Sequence, residues 1–148
     1  MVERYTYLFV GWAFLFQLLL IVHFSIRKWR FEWVAQYGGW FYALGIPALL
    51  VSIILAGSGA GWAFWTGGVL QFIWSVFGYT VEFVRKIEWR DPPYWRVFWP
   101  YVTLYLAVNM FYWWPQGLVD RRLWFMYGAL FLVSTLLNVS SHRSKPVS

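Results

Sequence analysis

The sequence predicts an all-α polytopic integral membrane protein, a five-helix transmembrane bundle with little mass outside the lipid, and three observations predict it. Hydrophobic residues make up 61% of the 148 and charged ones 12%, against about 45–50% and about 25% in a soluble domain, which needs a polar shell around its core. Uncharged stretches run past the roughly 18 consecutive apolar residues that mark a membrane span. The 13 Trp, 10 Tyr and 14 Phe are the residue types that settle where hydrocarbon meets water. Cysteine is absent, which excludes disulfides, thiolate catalysis and Cys-based metal or iron–sulfur sites.

The first span covers about residues 7–26, has Gln17 as its one strongly polar interior residue, and exits at Arg27, Lys28 and Arg30. No small-residue cleavage signal follows it, so it reads as a retained helix rather than a signal peptide. From Trp40 the chain carries no charge until Glu82, about twice the length of one span, with Gly57-Ser58-Gly59-Ala60-Gly61 near the middle. Glycine supplies the backbone angles of a tight reversal, so this stretch reads as a hairpin of spans 40–57 and 61–83. Pro47 is expected to bend the second span and free a carbonyl.

Residues 84–96 hold Arg85, Lys86, Glu88, Arg90, Asp91 and the Pro92-Pro93 break, where helix does not continue. A fourth span covers about 97–114, Pro115-Gln116-Gly117 makes a turn, and a fifth covers about 123–141 behind Asp120, Arg121 and Arg122. No internal repeat or linker divides the chain, so residues 1–148 form a single transmembrane domain.

With the N-terminus outside, five spans gather Arg27, Lys28, Arg30, Arg85, Lys86, Arg90, Arg96, Arg143 and Lys145 on one face and leave Arg4, Arg121 and Arg122 on the other. The positive-inside rule assigns the basic face and the C-terminus to the cytoplasm, as expected in a prokaryotic inner membrane. Four spans would put the basic clusters on opposite sides. The formal charge of +6 lies beside helix ends, so the expected partners are anionic lipid headgroups, at about 1 kcal/mol per juxtamembrane base, and not nucleic acid. The candidate headgroup residues are Arg27, Lys28, Arg30, Arg85, Lys86, Arg90 and Arg96. Trp29, Trp33, Tyr37 and Trp40, with Trp89, Tyr94, Trp95 and Trp99, are placed as interfacial anchors.

A polar side chain at mid-depth must find a partner on another helix. Gln17, Gln71, Asn109, Ser134 and Thr135 all fall near the bilayer centre and could form one polar belt. The belt has two readings: joints between helices, at about 0.6 kcal/mol per contact, or the lining of a small cavity that grips and orients an apolar molecule. Glu82 has Arg85 and Lys86 three and four residues on, spacing that predicts a local ion pair. His23 and His142 fall near the same interface, which permits a bis-His metal or haem site in principle, without an obvious carboxylate to support it. The spans hold no nucleophile–base–acid set and no phosphate-loop or zinc motif, so catalysis is not expected. Gly59-Ala63-Gly67 and Ser52-Ala56-Ala60 recur every fourth position, as close helix contacts require.

Trp89, Pro92, Pro93 and Trp95, then Leu104-Tyr105, and Leu137-Asn138 late in the last helix, give the chain a resemblance to the tryptophan-rich TspO/translocator-type membrane proteins. The resemblance implies a five-helix bundle that binds porphyrins and other apolar ligands. In that family the Pro-Pro loop follows the first helix and here it follows the third, so no ligand-binding role carries over to these residues.

The function expected is therefore a non-enzymatic small-molecule binder, taking an apolar or amphipathic molecule such as a lipid, pigment or porphyrin-like ring within the bundle. A structural or accessory subunit of a larger membrane complex, or a homo-oligomer, would use the same small-residue stripes and minimal loops. A small transporter is the third reading; it calls for repeated halves or broken helices, of which Pro47 is the one trace. No cofactor is named by the residues.

Overall fold

The computed structural model of the chain describes residues 4–142. The described residues are helical throughout except for turns and an isolated bridge between Arg90 and Pro93. The elements are α1 (Arg4–Trp29), α2 (Phe31–Tyr37), α3 (Trp40–Ala43), α4 (Gly45–Gly57), α5 (Trp62–Tyr79) ending in a π-helical turn (Thr80–Val84), α6 (Trp95–Trp113), α7 (Gln116–Val119) and α8 (Arg121–Ser141). Among the described residues, four helices are long and apolar enough to cross a membrane: α1, α3 with α4, α5 with its π turn, and α8. The fourth predicted span appears as the 19-residue helix α6, whose run of Trp and Tyr makes it less apolar than the other four.

The helices overrun the predicted spans because charge marks where lipid ends, not where helix ends. Helix α1 carries Arg27 and Lys28 in its last turn, where the exposed carbonyls favour cations. Helix α8 starts at Arg121, with the Asp120 carboxylate accepting from the Arg122 backbone N–H at 2.7 Å, an N-terminal cap. The short helix α2, all of it on the surface, lies in a stretch that reads as loop from its charges.

The second span is interrupted at Leu44, one turn before Pro47. Pro47 has no N–H to give the carbonyl of Ala43, four residues back, so the break falls where the missing bond predicts. The Gly57–Gly61 reversal is also present: Gly59 adopts φ +79°, and the N–H groups of Ser58, Gly59 and Ala60 close back on Ile54, Ala56 and Leu55. At the far end of α5, Arg85 N–H bonds the carbonyl of Thr80, five residues back, at 2.8 Å, and Lys86 takes φ +51°. The chain thereby leaves the helical track before the charged loop.

Helix α4 lies along α5, α5 along α6, and α1 along α8. The α4 face that packs is Gly45, Ala48, Ser52 and Leu55; Ala56, expected in the contact stripe, is exposed, and Gly59 belongs to the turn. Opposite that face, a Cβ on Gly68 would overlap Ser52 Oγ and the Ala48 carbonyl, and one on Gly67 would meet the Tyr112 ring at 2.9 Å. Backbones this close gain dispersion contacts that lipid cannot supply. The aromatic interior is centred on Trp74, whose ring meets Phe41, Tyr42, Tyr101 and Tyr105 at centroid distances of 5.5–6.0 Å.

Gly68→Ala should therefore cost about 1–3 kcal/mol, because the obstructing atoms include backbone. Gly11→Ala, on α1 with nothing within 4 Å of the added methyl, should be neutral or stabilising by up to about 1 kcal/mol. Reversible unfolding in mixed detergent micelles measures both; equal effects would contradict the assigned α4–α5 contact.

Candidate functional site

The mid-depth polar residues come first, because their chemistry is the most constrained. Gln17, Gln71, Asn109 and Ser134 are all 0% exposed, and they form local groups rather than one belt. Gln71 Oε1 on α5 accepts from the Tyr112 hydroxyl on α6 at 2.6 Å and from Trp12 Nε1 on α1 at 3.3 Å, and Trp12 Nε1 also donates to the Tyr112 oxygen at 2.9 Å. Three helices meet in that group. Gln17 Nε2 donates to Ser134 Oγ and to the Leu130 carbonyl, joining α1 to α8. Asn109 instead turns back on its own helix, Nδ2 donating to the Tyr105 carbonyl at 2.9 Å, and the Thr135 hydroxyl has no hydrogen-bond partner.

A second cluster gathers at the end of the bundle where α1 and α8 finish. Arg27 Nε donates to Ser141 Oγ at 2.9 Å, and Nη2 reaches Ser141 Oγ, the Asn138 carbonyl and side-chain oxygen, and His142 Nε2. Burial lowers the His142 imidazole to a pKa of about 4, helped by the charges of Arg27 and then Arg90. It is therefore neutral at neutral pH, with a lone pair free to accept from Arg27. His23, one turn before Arg27, lies tilted against the Phe41 ring, centroids 4.7 Å apart. A guanidinium lying against His142 opposes a metal cation there, and no group of three His, Cys, Asp or Glu among the described residues is arranged to hold one.

Across this end, Arg90 Nη2 pairs with Glu82 Oε1 at 2.5 Å, and the Arg90 guanidinium lies 4.3 Å from the Trp89 ring centre and 5.7 Å from that of Tyr101. The partner predicted for Glu82 was Arg85 or Lys86. The π turn and the left-handed Lys86 carry both bases off the helical track, and the loop returns Arg90 in their place. The Tyr101 and Tyr42 hydroxyls bond each other at 2.9 Å. Among the candidate headgroup bases, Arg30, Arg85, Lys86 and Arg96 are exposed and Lys28 is half-buried over the Trp29 ring. Arg27 and Arg90 each bond protein partners through part of the guanidinium, Arg90 with 40% of its side chain exposed; Arg143 and Lys145 lie outside the described residues. The anchors Trp29, Trp33, Tyr37, Trp40, Tyr94, Trp95 and Trp99 are exposed, whereas Trp89 is buried at 4%.

Beside Tyr42 a groove of about 290 Å³ opens between α3–α4 and α5, lined by Gly39, Tyr42, Ala43, Ile46, Phe72, Ser75, Val76, Tyr79 and Thr80. Its walls are apolar. At its base the Ser75 hydroxyl, 3% exposed, has no hydrogen-bond partner, and Ser75 abuts Gly45, where an added Cβ would fall 2.6 Å from its own. The sequence signals that could have found this site are the Gly-x-x-x-x-x-Gly spacing around Tyr42, from Gly39 to Gly45, and Ser75 on the facing helix. Compared with known proteins, the chain matches no family model, no curated protein and no solved structure.

The geometry separates two kinds of polar residue by their energetics. Gln71→Leu removes the acceptor of two donors on two other helices and should cost about 1–2 kcal/mol, at the upper end of interhelical bonds in lipid. Asn109→Leu removes only a bond to its own helix and should change stability by less than about 0.5 kcal/mol or raise it. A double-mutant cycle of Gln71→Leu with Tyr112→Phe should show coupling of about 1 kcal/mol; strict additivity would remove this group from the account.

Proposed function

We propose that the protein is a five-span membrane protein, N-terminus outside and C-terminus cytoplasmic, that binds an apolar or amphipathic small molecule without catalysing its conversion. The observation that carries this reading is the groove between α3–α4 and α5, apolar along Ile46, Phe72, Val76 and Tyr79 with the unpartnered Ser75 hydroxyl at its base. Ligand sites take this form, mostly apolar walls with few polar groups that fix orientation. The polar residues in the middle of the bundle serve instead as joints, since Gln17 and Gln71 already bond across helices and are closed to the outside. In this reading α6 is the fourth span along the chain and brings the count to five: it is 19 residues long and lies beside α5, and its Tyr101 and Tyr112 turn their hydroxyls to partners inside the bundle.

Lys28, Arg30, Arg85, Lys86 and Arg96 attract the anionic leaflet. The accessory-subunit reading draws on α8, which leaves Phe125, Met126, Leu132, Leu136 and Val139 exposed along its length; lipid covers such a face as well as a partner does.

Val76, 49% exposed on the groove wall, can be enlarged without touching the core. Purified in mild detergent, the protein should carry a co-purifying apolar molecule near one per chain by native mass spectrometry. Val76→Trp should lower that occupancy at least fivefold with an unchanged gel-filtration profile. Equal occupancy in both, or a partner polypeptide in place of a small molecule, would overturn the reading.

A further inference from the structure

The basic end of the bundle has more donors than the protein accepts. Among the described residues Arg27 bonds through Nε and Nη2, which leaves the two N–H groups of Nη1 outside that set, and Arg90, its side chain 40% exposed, pairs through Nη2, which leaves Nε and Nη1. Trp89 Nε1, a pure donor in a residue only 4% exposed, is enclosed and has no hydrogen-bond partner among the described residues, and neither has His23 Nδ1, a donor or an acceptor according to its tautomer. The parts share one end: Arg90 covers the Trp89 ring and Trp89 meets Tyr101 at 4.5 Å, while Arg27 lies 4.9 Å over the Phe24 ring, which meets Tyr105, one turn from Tyr101 on α6, at 6.5 Å. Within the group of Arg27, Arg90, Glu82 and His142, two guanidinium charges against one carboxylate, with the imidazole neutral, leave one net positive charge.

Of these groups Trp89 Nε1 is the buried donor without an acceptor, which is costly. A cation would raise that cost, and the arrangement of planar guanidinium forks with an indole N–H is the complement of an oxyanion. We propose that this end of the bundle is a binding site for an oxyanion, a phosphate or carboxylate group, held by the free N–H groups of Arg27 and Arg90 and by Trp89 Nε1–H. It is distinct from the groove and from the exposed bases Arg30, Arg85, Lys86 and Arg96, which attract anions only by field. The group belongs either to a lipid headgroup or to a free anion, and Lys28 and Arg30 at the rim suit both.

The test uses the full chain in neutral detergent with two probes, inorganic phosphate and a short-chain phosphatidic acid, titrated by the rise in unfolding temperature and by native mass spectrometry. Trp89→Phe keeps the ring under Arg90 and deletes the N–H; Arg27→Gln deletes one charge; Arg96→Gln is the surface control. Binding of at least one probe is expected, weakened about tenfold by Trp89→Phe and by Arg27→Gln and less than twofold by Arg96→Gln. Binding of both probes assigns a free oxyanion site, and binding of phosphatidic acid alone assigns a headgroup site. Where Arg27→Gln fails to fold, Trp89→Phe decides. No binding of either probe, or binding that falls with Arg96→Gln and not with Trp89→Phe, overturns the proposal.

Discussion

A hydrogen-bonding group enclosed among apolar helices has to find its partner inside the protein, and that requirement organises this molecule. Hydrophobic burial does not choose one helix register over another when the surroundings are as apolar as the side chains. Directional bonds do. Gln71, Tyr112 and Trp12 fix α5, α6 and α1 at one level, and Gln17 with Ser134 fixes α1 against α8. The small residues Gly45, Gly67 and Gly68 then set how closely the backbones approach, and large aromatic rings fill the remainder around Trp74.

The same requirement separates joints from sites. At mid-depth Gln17 and Gln71 are closed in and bonded across helices, so they hold the bundle together, while Gln17 Oε1, Gln71 Nε2 and Asn109 Oδ1 have no hydrogen-bond partner among the described residues. At the edge of α5 Ser75, its enclosed hydroxyl without a partner among the described residues, lines an apolar groove, and at the basic end Trp89 Nε1 lacks an acceptor. Function is read from these two places because there a groove or a guanidinium adjoins the unpaired group, which costs about 1–3 kcal/mol to leave unmet.

Much of the fold is legible in the sequence. Charge-free length marks four apolar helices within a few residues, the glycine cluster marks the α4–α5 reversal, and Pro47 marks the interruption at Leu44. Burial of Gln17, Gln71, Asn109 and Ser134 is legible too, since mid-span polarity requires it; their partners are not, since bonding depends on which helices are neighbours. Asn109 reaches its own backbone and Thr135 reaches nothing. Glu82 shows the limit most clearly. Helical spacing favours Arg85 and Lys86, but a π turn and one left-handed residue redirect the chain, and Arg90, eight residues on, takes the pairing. Trp89 was legible as an anchor by type and position, yet the folded loop buries it beneath Arg90.

The central claim is that hydrocarbon surrounds the bundle and that α6 crosses it as the other four helical rods do. The sequence has no cysteine, so single cysteines report sidedness against a silent background. Ser58 in the α4–α5 turn and Leu118 in the short helix α7 lie in segments assigned to the outer face, and Arg30 and Glu88, also exposed, in segments assigned to the inner face. With a membrane-impermeant maleimide on intact cells, the account predicts labelling of the Ser58→Cys and Leu118→Cys variants, and of Arg30→Cys and Glu88→Cys only after permeabilisation. Labelling of Glu88→Cys and Leu118→Cys from the same side would contradict it, since α6 would then not span.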